Sequence, residues 1–203
     1  MTAIIDYGVG NLFSLESSFA AIGEPVVVTR DEEVLKKADR LVLPGVGAFC
    51  DARQALRDSG LEDTVIALAK EGKPFLGICL GMQMLFERDY EDGVHEGLGL
   101  IPGEVRPISE VIGPGLKIPQ IGWNALIFRN PSRIFKYIKE GDFVYFVHSY
   151  HAAGCSAHTT AVTDYGALLT ASVEKDNVFG CQFHPEKSGD VGLSILKAFV
   201  EID

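Results

Sequence analysis

Cys79 stands in the pattern Gly77-Ile78-Cys79-Leu80-Gly81, and far downstream His184 and Glu186 flank Pro185. The first segment follows the apolar run Pro74-Phe75-Leu76-Gly77-Ile78 and precedes Met82-Gln83-Met84-Leu85-Phe86, which has a helical pattern. Strand, sharp turn and helix are therefore expected, with a thiol at the turn. The flanking glycines let the backbone turn tightly and push the side chain outward. Unpaired amides and the helix dipole favour an anion there, so the thiol pKa is expected to fall toward a reactive thiolate. In the second segment, Val178-Phe179-Gly180-Cys181-Gln182-Phe183 reads as a strand, and Pro185 restricts His184 to an extended conformation. Residues two apart in an extended chain share a face, so Glu186 can orient the His184 imidazole while it takes a proton from Cys79. Nucleophile, base and orienting acid are the components of acyl transfer.

The elements that must position these residues are legible in outline. Strands are expected at 3–6, 25–29, 40–44 and 74–78, and helices at 11–22, 31–37, 49–59, 61–70 and 80–88. Thr29-Arg30-Asp31-Glu32 has the capping-box form. Val-, Ile- and Leu-rich strands alternating with helices predict an α/β fold with a parallel sheet. Residues 90–99 read as a polar loop. Short extended pieces follow at 104–108, 126–128, 143–149, 159–163, 170–173 and 178–183, with a closing helix at 191–200. Gly8-Val9-Gly10 follows the first strand, but Phe13 stands where a third glycine would complete a dinucleotide fingerprint, so a tight turn is expected there. Pro44-Gly45-Val46-Gly47 follows the third strand. It falls at the carboxyl edge of a parallel sheet, as Cys79 does, where ligands bind. Amides of Gly45, Val46, Gly47 and Leu80 could there stabilise an oxyanion.

A chain of 203 residues is expected to form one domain over 1–203. A formal net charge of -10 argues against nucleic acid as a partner. The N-terminus reads as a first strand with no leader, and no apolar run approaches a membrane span. Cys50, Cys155 and Cys181 have no pairing or metal-like spacing with Cys79 and read as small buried or half-buried residues, which fits a reducing cytoplasm.

These motifs resemble those of the class I, triad-type glutamine amidotransferases. The likeness runs along the chain through Asp6-Tyr7-Gly8-Val9-Gly10-Asn11, Pro44-Gly45-Val46-Gly47, Gly77-Ile78-Cys79-Leu80-Gly81-Met82-Gln83, Gly122-Trp123-Asn124, Tyr145-Phe146-Val147-His148-Ser149-Tyr150 and Gln182-Phe183-His184-Pro185-Glu186-Lys187-Ser188. Gly-Trp-Asn and His-Pro-Glu-Lys-Ser narrow the resemblance to the glutaminase subunits of imidazole glycerol phosphate synthase. It implies a three-layer fold, with helices on both faces of a mostly parallel sheet and added antiparallel strands in the C-terminal half. It further implies Cys79, His184 and Glu186 as the catalytic triad. Gln83, Glu91, Ser149 and Tyr150 would hold glutamine, with Glu91 facing its α-amino group. Asn11, Trp123, Asn124, Tyr145 and Lys187 would meet a separate (βα)8-barrel cyclase, and Trp123 is expected in a loop. No metal or organic cofactor is implied. Two rivals share the elbow. A thiol α/β-hydrolase would place its acid before the histidine in sequence, and a thiol sensor would not need His184-Pro185-Glu186. Sister amidotransferases share the triad but lack the Gly-Trp-Asn and His-Pro-Glu-Lys-Ser contexts.

Overall fold

The computed structural model describes residues 1–203. Its main sheet has eight strands, in the order Val26–Thr29, Thr2–Ile5, Arg40–Leu43, Phe75–Ile78, Val178–Cys181, Leu168–Lys175, Thr159–Asp164 and Ile127–Phe128. The first five are mutually parallel, and the last three extend the sheet antiparallel. The central strands are buried along their whole length, as runs such as Arg-Leu-Val-Leu and Phe-Leu-Gly-Ile require in a sheet covered on both faces.

Alternation along these strands divides the core in two. Ile5, Leu41, Leu43 and Phe75 pack with Leu35, Phe49, Leu56 and Val65 from the helices Glu32–Lys37, Phe49–Asp58 and Glu62–Lys70. Ile4, Val42, Leu76 and Ile78 point the other way, onto Leu15 and Phe19 of helix Leu12–Ala21 and Ile195 and Phe199 of helix Gly189–Val200. The result is the expected three-layer α/β sandwich. Beside the carboxyl edge lie two smaller sheets. One is the antiparallel ribbon Gln120–Ala125 with Phe143–His148; the other is a four-stranded sheet whose edge strand is Tyr150–Ala153.

Four local expectations are corrected. The helix after Cys79 covers only Leu80–Gln83, not 80–88. The chain from Gly97 to Ile101 folds across it, and the carbonyls of Met84, Phe86 and Leu85 accept from Leu98, Gly99 and Leu100 at 2.7, 3.1 and 2.9 Å, ending the ladder early. The loop at 90–99 includes the short strand His95–Glu96, paired with Arg88–Asp89. Helix Glu32–Lys37 is capped by Asp31, which accepts from the Glu33 amide at 2.8 Å, so Thr29 is not the cap of a capping box. Gly122-Trp123-Asn124 lies in a strand, not a loop, and Tyr150–Ala153 is a strand that no expectation covered.

Candidate active site

Cys79 occupies the left-handed region with φ 54° and ψ -113°, a conformation costing on the order of 1–3 kcal/mol for a residue with a side chain. Close packing holds it there. A Cβ on Gly81 would lie 1.9 Å from the Leu43 carbonyl oxygen, one on Gly77 would lie 2.6 Å from the Gly81 oxygen, and one on Gly45 would lie 2.7 Å from the Gly81 amide. These glycines let two strand ends and the elbow share one volume. The Cys79 amide donates to the Cys181 carbonyl at 2.7 Å, tying the nucleophile to the end of the strand that leads to His184. A four-residue helix supplies little macrodipole, so the anion-favouring contribution at the turn is that of its local amides.

Glu186 reaches the imidazole by a route that the extended-chain argument missed. His184 is extended itself, but Pro185–Lys187 form a 3₁₀ turn that brings Glu186 back onto the ring. Nδ1 and Glu186 Oε1 are 2.7 Å apart, both side chains buried. Burial alone would lower the imidazole pKa. The Cys79 sulphur and the Glu186 carboxylate beside it outweigh burial and lift the value to about 10, favouring an imidazolium bonded to Glu186 through Nδ1. Ser188 braces this segment: its hydroxyl donates to the His184 carbonyl at 2.6 Å and accepts from the Tyr145 amide at 3.0 Å.

Above the sulphur lies a cavity of about 270 Å³ lined by Val46, Gly47, Cys79, Leu80, Gln83, Glu91, Pro119, Val147, His148, Ser149, Tyr150 and His184. The residues expected to hold glutamine, Gln83, Glu91, Ser149 and Tyr150, are there with Cys79 and His184, as are Val46, Gly47 and Leu80 of the expected oxyanion group. Gly45 lies beneath, packed on Leu80 and Gly81, and positions the loop without lining the space. The loop is steadied from behind by Tyr7, whose hydroxyl donates to the Pro44 carbonyl at 2.6 Å. Gly47 has φ +93°, and Val46 is largely exposed beside it. Glu91 accepts the Phe49 amide on Oε2 at 2.6 Å, leaving Oε1 for a cation in the cavity.

Several residues at the site carried no signal in spacing. Asp89 is buried, accepts the Glu91 amide at 2.7 Å, and is pushed up to about 6 by burial. His148 donates from Nδ1 to the Tyr150 carbonyl at 2.7 Å and has Nε2 3.0 Å from Gln120 Oε1. Burial lowers its pKa to about 4, so it is neutral at pH 7. Gln182, within a quoted motif but without an expected role, accepts from Gln83 Nε2 at 3.0 Å.

The residues expected at a partner face are partly gathered. Trp123 and Tyr145 are direct cross-strand neighbours, with ring centroids 6.0 Å apart and edge-to-face. Lys187 Nζ lies 6.0 Å from the Tyr145 ring. Ile121 and Phe143 extend the same ribbon face, and both are exposed. Asn124 sits on the opposite side of its strand. Its amide is taken up by Gln120 and by the Asp164 carbonyl, so it shapes the ribbon more than it presents a contact. Asn11 precedes helix Leu12–Ala21 and makes no side-chain capping bond. Cys50 is exposed, contrary to expectation, because it lies on the outer side of helix Phe49–Asp58. No helix is long and apolar enough to cross a membrane.

Comparison with known proteins agrees with this geometry. The family model for "Glutamine amidotransferase class-I" matches residues 3–202. "Imidazole glycerol phosphate synthase subunit HisH" of Aquifex aeolicus is 50% identical over 201 residues, covering 98% of this chain and 95% of the relative. Its counterpart from Methanothermobacter thermautotrophicus is 50% identical over 203 residues, covering 100% and 98%. That of Caldanaerobacter subterraneus subsp. tengcongensis is 48% identical, also covering 100% and 98%. Among solved structures, a glutamine amidotransferase superposes with a TM-score of 0.75 at 19% identity, covering 98% of each chain. PurLQS from Thermotoga maritima superposes at 0.74 and 19% identity, covering 98% of this chain and 96% of that one. At that identity the superpositions speak for the fold. The full-length sequence matches go further: the chain belongs to the class I glutamine amidotransferases and, within them, to the HisH subunit family of imidazole glycerol phosphate synthase.

Proposed function

We propose that this chain is the glutaminase subunit of an imidazole glycerol phosphate synthase, with Cys79, His184 and Glu186 as its catalytic residues. Cys79 Sγ attacks the side-chain carbonyl carbon of glutamine. The resulting oxyanion is received by the Leu80 amide and an amide of the Gly45–Gly47 loop. His184 protonates the departing nitrogen, which leaves as ammonia with formation of a glutamyl thioester. The same imidazole then takes a proton from water, whose oxygen displaces the thiolate and yields glutamate. Glu186 holds the ring throughout. Glu91 Oε1 takes the substrate α-ammonium, while Gln83 and the backbone at Ser149 and Tyr150 fix the rest of the molecule.

Ammonia released into neutral water is protonated and loses its nucleophilic lone pair, so transfer must be sheltered. The proposed acceptor is a separate (βα)8-barrel cyclase in the cytoplasm, seated on the exposed face of Trp123, Tyr145 and Lys187. It would use the ammonia to make imidazole glycerol phosphate and an aminoimidazole carboxamide ribonucleotide. The observation that carries this reading is the geometry of the triad: Cys79 and His184 both line one cavity of about 270 Å³, and Glu186 holds the His184 ring at 2.7 Å from behind. Gly47 and the exposed Val46 allow a peptide rotation that would complete the oxyanion hole only in the complex. Glutamine hydrolysis should therefore be weak in the isolated chain and rise about 100- to 1000-fold with nucleotide-loaded cyclase, the usual worth of one oxyanion donor. Cys79→Ala should abolish glutamine-dependent synthesis and leave synthesis from ammonium salts intact. Full activity from the chain alone would refute the coupling, and failure of ammonium to support an assembled Cys79→Ala complex would refute the two-site scheme.

A further inference from the structure

We infer that Gln182 is a further catalytic residue, a fixed N–H donor that stabilises the Cys79 thiolate and ties it to Gln83. The inference takes Cys79 as the nucleophile, as proposed above, and concerns the donor that faces its sulphur.

Gln182 is wholly buried and its amide nitrogen has a single partner, Cys79 Sγ at 3.9 Å. Its oxygen accepts from Gln83 Nε2, which also donates to the Tyr150 carbonyl at 3.2 Å. That second bond fixes the orientation of the whole chain. With the Gln83 nitrogen held toward the Tyr150 carbonyl, the Gln182 oxygen must face that nitrogen and the Gln182 nitrogen must face the sulphur. A reversed Gln182 would set two N–H groups against each other and leave an oxygen against the thiolate. Burying an amide nitrogen without an acceptor costs about 1–3 kcal/mol, so the fold keeps Gln182 aimed at Cys79 only if the sulphur serves as acceptor.

Besides the His184 ring, the other polar group near the sulphur is the Val147 carbonyl, also 3.9 Å away. The two contacts suit opposite protonation states. A thiol can donate to Val147, whereas a thiolate is repelled by that oxygen and attracted by the Gln182 N–H. Removing Gln182 takes one N–H donor from the sulphur and leaves the Val147 carbonyl, which favours the thiol, opposed by His184 alone. The backbone positions the residue for this: the Gln182 amide donates to the Ala171 carbonyl at 2.9 Å, and its neighbour Cys181 holds the Cys79 amide. Alternation then sends Cys181 into the core and Gln182 toward the elbow.

The test is the pH dependence of Cys79 alkylation by iodoacetamide in the isolated chain, with Cys50 replaced by Ser so that one accessible thiol reports. Gln182→Leu should move the midpoint upward by about one pH unit, leaving about tenfold less thiolate below it, in line with loss of a hydrogen bond to the charged form. Gln182→Glu, which keeps the acceptor for Gln83, should move it in the same direction and serves if the Leu variant fails to fold. In the complex with cyclase, either variant should lose glutamine-dependent turnover mainly in kcat and keep ammonium-dependent turnover. A folded variant whose midpoint stays within about 0.2 unit of the parent would overturn the inference. If the midpoint shifts but the parent hydrolyses no glutamine with cyclase present, the glutaminase reading falls and the thiolate donor stands.

Discussion

Nδ1 of His184 sits 2.7 Å from Oε1 of Glu186, with side chains only 3% and 1% exposed. A pair this buried makes sense only as part of a larger charge arrangement. Burial works against the imidazolium, and it is held charged by Cys79 on one side and Glu186 on the other. The folded chain therefore keeps a proton on His184 between pH 6.5, the ordinary value, and about 10, where the unfolded chain releases it. Since the folded pKa is the higher one, the stabilisation is complete below pH 6.5 and is lost as pH rises through that window.

Cys79→Ala removes one of the two supports. The His184 pKa should fall in that variant, and the alkaline loss of stability should become shallower. NMR titration of the His184 ring in parent and variant is the direct measurement. An unchanged pKa would mean that Glu186 alone holds the proton and that the sulphur is no partner.

The four cysteines separate by environment. Cys155 and Cys181 are buried and desolvation raises both thiols, Cys181 the more strongly. Cys50 is exposed but has no triad beside it. An electrophilic glutamine analogue should therefore label Cys79 alone, as seen by peptide mass mapping, whereas a small undirected reagent should also reach Cys50. Comparable labelling of Cys50 by the analogue would remove Cys79 from its assigned role.

Gly81 tests the packing of the elbow. Its missing Cβ is what allows the Leu43 carbonyl to approach, and that oxygen belongs to a central strand that cannot retreat. Gly81→Ala should destabilise the fold by about 1–3 kcal/mol or more and displace Cys79. At Gly8 the space is open and only φ +91° opposes a side chain, so Gly8→Ala should cost about 1 kcal/mol. Urea unfolding of the two variants gives the comparison. Equal costs would mean that conformation, not contact, limits position 81.

Much of this was legible in the residues, and the part that was not has physical reasons. The parallel strands announce themselves because burial on both faces demands unbroken apolar runs, as at Leu41–Leu43. The elbow is local, so its glycines give it away. The helix after Cys79 misled because its end is set by Gly97–Ile101 crossing over it, a tertiary contact that propensity does not contain. Glu186 was paired with the right partner by the wrong geometry, since a 3₁₀ turn and an extended chain both bring residues two apart within reach. Asp89 and His148 bond backbone groups of Glu91 and Tyr150 two residues away, contacts that depend on the local backbone path and not on spacing, and Gln120 meets His148 from a strand distant in sequence. Gly122 and Asn124 are turn formers and point to a loop at Trp123, but pairing with Phe143–His148 decides its conformation.

That pairing sets the last prediction. Trp123 is 51% exposed, against Tyr145 and beside the exposed Ile121 and Phe143. An apolar ribbon face of this kind, rimmed by Lys187, exposes hydrophobic area that its own fold does not cover. Within the proposed assembly Trp123 is the natural anchor, since large aromatics dominate interface energies. Trp123→Ala should weaken cyclase binding by about 2 kcal/mol, roughly 30-fold, while thermal stability of the isolated chain changes little because half the ring is already in water. Tyr145→Ala and Lys187→Ala should act differently. Both side chains sit on backbone that adjoins the triad, since the Tyr145 carbonyl accepts the His184 amide at 2.9 Å and Lys187 follows Glu186, so changes there should fall on nucleotide-stimulated glutaminase activity more than on the binding constant. Calorimetric titration with cyclase, followed by glutaminase assays with and without nucleotide, separates the two effects. If all three variants bind and couple like the parent, the cyclase docks on another face.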